Sequence, residues 1–124
     1  MSKILITSAN FSFDAELNDN QTAKEILETL PIESYINKWG NEIYFNITKK
    51  IPLDAAAKKE IEVGDLAYWP EGPAFCIFFG PTPASTGSKP MAVSPVNVFG
   101  KITTNIEKLK DVRDAEKIKV ELVS

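Results

Sequence analysis

The sequence predicts a mainly β fold, a sandwich or barrel of short antiparallel strands, and three observations carry that expectation. Short apolar or alternating runs recur along the chain with Gly, Pro and Asn between them, the pattern of strands joined by turns. A Gly40-Asn41 dipeptide separates two alternating segments, as in a tight hairpin. The run Lys117 to Val123 places Ile118, Val120 and Leu122 on one side and Lys117, Lys119 and Glu121 on the other, the period of a half-buried strand. With 124 residues, the chain fits a single domain, residues 1–124, around one core.

The elements follow in order. Thr22-Ala23-Lys24-Glu25 has capping-box spacing, Ala23, Ile26, Leu27 and Leu30 share one helical face, and Pro31 stops propagation. This helix is expected to cover an apolar opening. In the hairpin, the two-residue turn sets Trp39 opposite Glu42, Lys38 opposite Ile43, Asn37 opposite Tyr44, Ile36 opposite Phe45 and Tyr35 opposite Asn46. One face then carries Ile36, Ile43, Phe45 and Ile47. The other carries Tyr35, Asn37, Trp39, Glu42, Tyr44 and Asn46. The first is core. The second mixes aromatic surface with hydrogen-bonding groups, which suits a ligand, and equally suits ordinary cross-strand aromatic pairing.

A second short helix is expected from Asp54 through Ala55-Ala56-Ala57 to Glu60, with Asp54 as its cap. Leu66 to Trp69 and Ala74 to Phe79 read as antiparallel strands joined by Pro70-Glu71-Gly72-Pro73, where Gly72 supplies a positive φ. In the second of these strands both faces are apolar, with Ala74, Cys76 and Phe78 on one and Phe75, Ile77 and Phe79 on the other. One face belongs to the interior of the sheet. The other needs the helix at Thr22, a ligand or a partner chain, and the helix is the plainest cover. Cys76 among these neighbours reads as a small core residue, not a nucleophile. Gly80 to Asn97 carries Pro81, Pro83, Pro90 and Pro95 and reads as a long loop, either a site rim or a packed surface loop. Val98 to Thr103 is a strand, Asn105 to Lys110 a third short helix, and Lys117 to Val123 the last strand.

Composition excludes several function classes. The net charge of −3 arises from 17 acidic and 14 basic residues scattered along the chain, so nucleic acid is not an expected partner. There is no histidine and one arginine, Arg113. Histidine-dependent nucleophilic triads therefore have no base, and one cysteine cannot build the usual zinc site. No metal and no cofactor are expected. GPTPASTGSK, Gly80 to Lys89, fails as a phosphate-binding loop because six residues separate its glycines and the order is Gly-Ser-Lys. The start MSKILITSANFSFD lacks the features of a secretory signal, no apolar run reaches membrane-spanning length, and a single cysteine agrees with a reducing compartment. The expectation is a cytoplasmic protein without membrane partners.

Three segments, WGNEIYF at Trp39 to Phe45, VGDLAYWPEGPAFCIFFGPTP at Val63 to Pro83 and SPVNVFGKI at Ser94 to Ile102, together with the helix ending in Leu30-Pro31, resemble the small prokaryotic cyclophilin-like barrel family, a family of uncharacterised function. The resemblance spans essentially the whole chain. It implies a closed, largely antiparallel eight-stranded barrel with one to three short helices, and binding on the outside of the barrel. Cyclophilins are prolyl isomerases whose catalysis is associated with an arginine in a Phe-His-Arg segment. This chain has no such segment, and Arg113 lies in Lys-Asp-Val-Arg-Asp. The expectation is a small-molecule or peptide-binding module without efficient isomerase activity. The alternatives are a weak or atypical isomerase and a structural or oligomeric interaction domain, for which a homo-oligomer is one form. The site is expected where the hairpin's polar face meets the Tyr68–Trp69 strand end and the Gly80 to Asn97 loop. Its candidate residues are Tyr35, Glu42, Tyr44, Tyr68, Trp69, Thr82 and Ser85. Burial there raises the pKa of Glu42 by desolvation unless a lysine lies close.

Overall fold

The structure, a computed structural model, describes residues 2–123. Its strands are β1 (Lys3–Thr7), β2 (Ser12–Leu17), β3 (Ile32–Tyr35), β4 (Asn37–Trp39), β5 (Glu42–Asn46), β6 (Lys58–Glu60), β7 (Asp65–Trp69), β8 (Ala74–Phe78), β9 (Met91–Ile102) and β10 (Lys117–Leu122). Helix α1 spans Gln21–Thr29, and a 3-10 helix spans Ile106–Asp111 close to the expected third helix. The fold is mainly β, and every strand pairing is antiparallel.

The sheet has ten strands in the order β3-β10-β1-β2-β9-β7-β8-β5-β4, with β6 added on β9. The expected count is eight, and among the described residues no ladder joins the end strands β3 and β4. Those two ends are nevertheless successive pieces of chain separated by Ile36 alone. Ile36 is therefore the residue at which the chain passes from one end strand of the sheet to the other. The Ile36 N–H donates to the Glu116 carbonyl at 2.8 Å and its carbonyl accepts from the Ala115 N–H at 2.8 Å. With Ile36 held there, the predicted hairpin register survives at Trp39–Glu42, Lys38–Ile43 and Asn37–Tyr44 and stops. Tyr35 instead lies opposite Lys117 on β10, not opposite Asn46.

Helix α1 begins one residue before the expected capping box. Asn20 is the cap, its Oδ1 accepting from the Ala23 N–H at 2.9 Å while its Nδ2 donates to the Val98 carbonyl at 2.9 Å. Thr22 is buried and accepts from Asn97 Nδ2 at 3.2 Å. Ala23 and Ile26 are buried, and Leu27 and Leu30 pack on the main core. The helix expected at Asp54 does not form. Asp54 caps a single turn through the Ala56 N–H at 2.8 Å, after which Lys58–Glu60 pairs with β9 as β6. Three alanines offer little apolar surface to hold so short a helix against a sheet edge that is open to pairing.

The β7–β8 hairpin forms with Trp69 opposite Ala74. Gly72 does not adopt a positive φ, as the positive-φ glycines are Gly40 and Gly64. Its role is close approach: a Cβ there would lie 2.8 Å from the Ala74 Cβ and 2.9 Å from Trp69 Cε3. The region expected to be loop as far as Asn97 becomes strand from Met91 onward, despite Pro95. Pro95 lies where the β6–β9 ladder is irregular, between the partners Met91 and Val96, so no regular ladder N–H is lost. In β10, Ile118 and Val120 are buried, but Leu122 at the strand's end is exposed.

Two apolar clusters divide the interior. The larger includes Ile4, Phe13, Leu17, Ile26, Phe45, Phe75, Ile77 and Phe99. The smaller gathers Ala67, Ala74, Cys76 and Phe78 under Ile61, Ala92 and Val96. Alternation along β8 feeds both, as its two apolar faces require. Helix α1 belongs to the larger cluster, so the second face of β8 is covered by β9 and the residue after β6 instead of by the helix. That cover is incomplete, and the gap is the cavity described next.

Candidate functional site

On β5, residues two apart share a face, so Glu42 and Tyr44 point the same way. The β5–β8 register sets Glu42 opposite Phe78 and Tyr44 opposite Cys76, while the hairpin sets Trp39 opposite Glu42. Trp69 joins them from the end of β7, and Ala92, Val93 and Val96 close over the group from the first half of β9. These residues line a cavity of about 210 Å³. The rings of Tyr44 and Trp69 stand nearly perpendicular, at 80° with centroids 6.4 Å apart, and form a corner. Trp69 is oriented by its indole N–H, which donates to Ser94 Oγ at 2.7 Å, and Ser94 Oγ in turn donates to Glu71 Oε2 at 2.6 Å.

Glu42 is the acidic group of this wall. It is 6% exposed. Burial pushes its carboxyl up to about 7, against a smaller lowering effect of the Cys76 thiol as a hydrogen-bond donor. The ion pairs among the described residues do not include it. The Cys76 thiol is held well above its usual range by burial first and by the Glu42 charge second. A thiol so held stays protonated at neutral pH and is a poor nucleophile.

Of the seven candidate residues, Glu42, Tyr44 and Trp69 come together in the cavity wall. Thr82 and Ser85 do not line it. Ser85 Oγ accepts from the Thr82 N–H at 2.9 Å and donates to the Lys89 carbonyl at 2.8 Å, and Thr82 Oγ1 donates to the Met91 carbonyl. They shape a loop that braces the hairpin tip: the Asn41 N–H donates to the Pro81 carbonyl at 3.0 Å, and a Cβ on Gly40 would lie 2.7 Å from Pro83 Cδ. Tyr68 faces the larger core, because its neighbour Trp69 faces the cavity and the two alternate. Its hydroxyl donates to the Lys49 carbonyl at 2.9 Å and accepts from the Ile51 N–H at 3.0 Å. Tyr35 sits 64% exposed on β3, carried away from the hairpin face by the bend at Ile36.

The cavity also contains residues outside the candidate set. Trp39 is visible in the sequence on the hairpin's polar face beside Glu42. Cys76 and Phe78 are legible as one face of β8, but nothing local in the sequence shows that β8 pairs with β5. Ala92, Val93 and Val96 are hidden in a segment that its prolines make look like loop.

No helix among the described residues is long and apolar enough to cross a membrane. No curated protein matches the chain at a significant level. A solved structure does: the solution structure of a hypothetical protein from Archaeoglobus fulgidus is 38% identical, with a TM-score of 0.84, over 98% of this chain and 95% of that one. The family model described as Cyclophilin-like matches residues 2–121. Over nearly its whole length, therefore, the chain belongs to the cyclophilin-like family.

Proposed function

We propose that this protein is a small-ligand-binding module whose site is the cavity between β5, β7, β8 and the first half of β9. The carrying observation is the Glu42 carboxyl, buried and outside the ion pairs among the described residues, in a wall otherwise built from Trp39, Tyr44, Trp69 and aliphatic groups. Small-ligand sites have this composition, an apolar and aromatic surface with a few polar groups that fix orientation. The cavity lies just below the usual range of about 300–1,000 Å³ for drug-sized ligands. It suits a small metabolite or a single side chain of a peptide. On this reading the sheet works as a barrel whose seam at Ile36 is held by the bend, and the module works in the cytoplasm, for which the free Cys76 is the support.

Both tryptophans of the chain line the cavity, so selectively excited tryptophan emission reports on this site. A thermal-shift screen of metabolites and short peptides is expected to yield compounds that raise Tm and also alter tryptophan emission. A ligand at one hundred times its Kd stabilises by about 2.7 kcal/mol. A screen in which no compound does both overturns the proposal.

Efficient prolyl isomerisation is not expected. Arg113 lies in the turn before β10, its backbone N–H donating to Glu116 Oε2 at 2.9 Å, and it does not line the cavity. An ammonium group cannot reproduce the guanidinium's paired donors. In a proline-limited refolding assay the protein is expected to leave the slow phase unchanged. Acceleration at a rate typical of cyclophilins contradicts this.

A further inference from the structure

We infer that the cavity receives a small organic cation, an amine or methylated ammonium group, seated between the Glu42 carboxylate and the aromatic walls of Trp39, Tyr44 and Trp69. The inference rests on the ligand-binding reading above and names its ligand class. Three observations lead to it. The titratable lining groups are Glu42, Tyr44 and Cys76, so the wall contains a carboxyl, a phenol and a thiol and no cation. An anionic ligand would meet like charge with no basic partner. A neutral ligand leaves Glu42 either protonated or as a desolvated carboxylate without a counter-charge, and the ionised form is costly in an apolar wall. A cation removes that cost.

The aromatic geometry points the same way. Tyr44 and Trp69 form a perpendicular corner, and Trp39 sits opposite Glu42 across the hairpin. Aromatic enclosures favour alkylated ammonium groups because ring quadrupoles attract the charge while the alkyl groups bury apolar surface. A metal ion is a poor alternative occupant, since among the described residues no three His, Cys, Asp or Glu side chains converge and hard cations need several oxygen ligands. The raised pKa of Glu42 adds a signature. A bound cation favours the ionised carboxyl, so binding at neutral pH releases a proton, and affinity rises with pH until Glu42 is ionised without ligand.

The test uses the full chain and two matched pairs of probes. Choline is compared with its uncharged carbon analogue 3,3-dimethylbutan-1-ol, and butylammonium with 1-butanol, by tryptophan fluorescence and calorimetry at pH 6 and pH 8. At pH 8 each cation is expected to bind at least about tenfold more tightly than its neutral counterpart. Choline, which does not titrate, is expected to gain roughly tenfold in affinity between pH 6 and pH 8, with proton release, while the alcohols do not gain. Glu42→Gln is expected to abolish the charge preference and the pH dependence, and Trp69→Leu to weaken the cations with the fold retained. If Glu42→Gln does not fold, the pH series on the unaltered chain still separates a titrating carboxyl partner from an uncharged wall. Equal binding of charged and neutral probes, or choline affinity that does not rise with pH, overturns the cation assignment. If neutral compounds from the screen bind and neither cation does, the ligand-binding reading stands and the cation falls; if nothing binds, both fall.

Discussion

Glu42→Gln is expected to stabilise the unliganded protein at pH 8 by on the order of 2–3 kcal/mol and to lose most of that advantage at pH 5. The carboxyl's folded pKa is raised from its ordinary 4.5 to about 7, with desolvation as the main cause. Below about 4.5 the group is protonated whether the chain is folded or not, and it costs nothing. Between 4.5 and 7 the unfolded chain ionises while the native state keeps its proton, so stability falls as pH rises. Above 7 both states are ionised and the native state carries the full penalty. Each tenfold difference in proton affinity between the folded and unfolded chain corresponds to about 1.4 kcal/mol, which sets the ceiling for the effect. Glutamine has nearly the same shape and no charge to desolvate. Urea unfolding of both proteins at pH 5 and pH 8 measures the difference, with every other titrating group common to the pair. A difference between the two proteins that does not change with pH would contradict the burial of an ionisable carboxyl at this position.

Phe75→Ala is expected to cost about 3–5 kcal/mol. Phe75 is fully buried, stacked on Phe45 with centroids 4.8 Å apart and set edge-to-face with Phe99 at 5.0 Å. Truncation removes its apolar burial, leaves a cavity between β5, β8 and β9, and breaks both ring pairs. Against a typical domain stability of about 5–15 kcal/mol, the loss is a large fraction of the total. Phe75 also lies opposite Phe45 in the ladder that aligns Glu42 and Tyr44 with β8. Ligand affinity should therefore fall with stability even though Phe75 faces away from the cavity. Phe75→Leu keeps most of the buried surface and should cost less than half as much. Urea midpoints check both, and a loss under about 1 kcal/mol for the alanine variant would mean that the site collapses without a cavity.

The candidate site is readable where local geometry decides. Glu42, Tyr44 and Trp39 fall on one face because side chains alternate along a strand and Gly40-Asn41 sets the hairpin register, and both facts are contained in a few consecutive residues. Cys76 and Phe78 share one face of β8 for the same reason. Local reasoning fails where a longer-range choice intervenes. Tyr35 obeys alternation only if the hairpin continues past Ile36, and the Glu116 and Ala115 backbone groups that bend the chain there come from the other end of the sequence. Thr82 and Ser85 have the chemistry of a rim, but their hydroxyls are taken up by the loop's own backbone.

By itself the sequence determined the mainly β character, the Gly40-Asn41 and Pro70 to Pro73 hairpins, the apolar face of the helix and the two-faced apolar character of β8. Each of these follows from a period or a turn preference that a short segment expresses alone. Only the tertiary structure decided that β8 pairs with β5, that β9 begins at Met91 and closes over them, and that Trp69 faces Glu42's cavity while Tyr68 faces the core. Strand neighbours are chosen by which faces bury most surface over the whole chain, a choice no local period records. The burial that raises the Glu42 pKa is of the same kind: a carboxylate's charge is a property of its residue, but its desolvation is a property of everything packed around it.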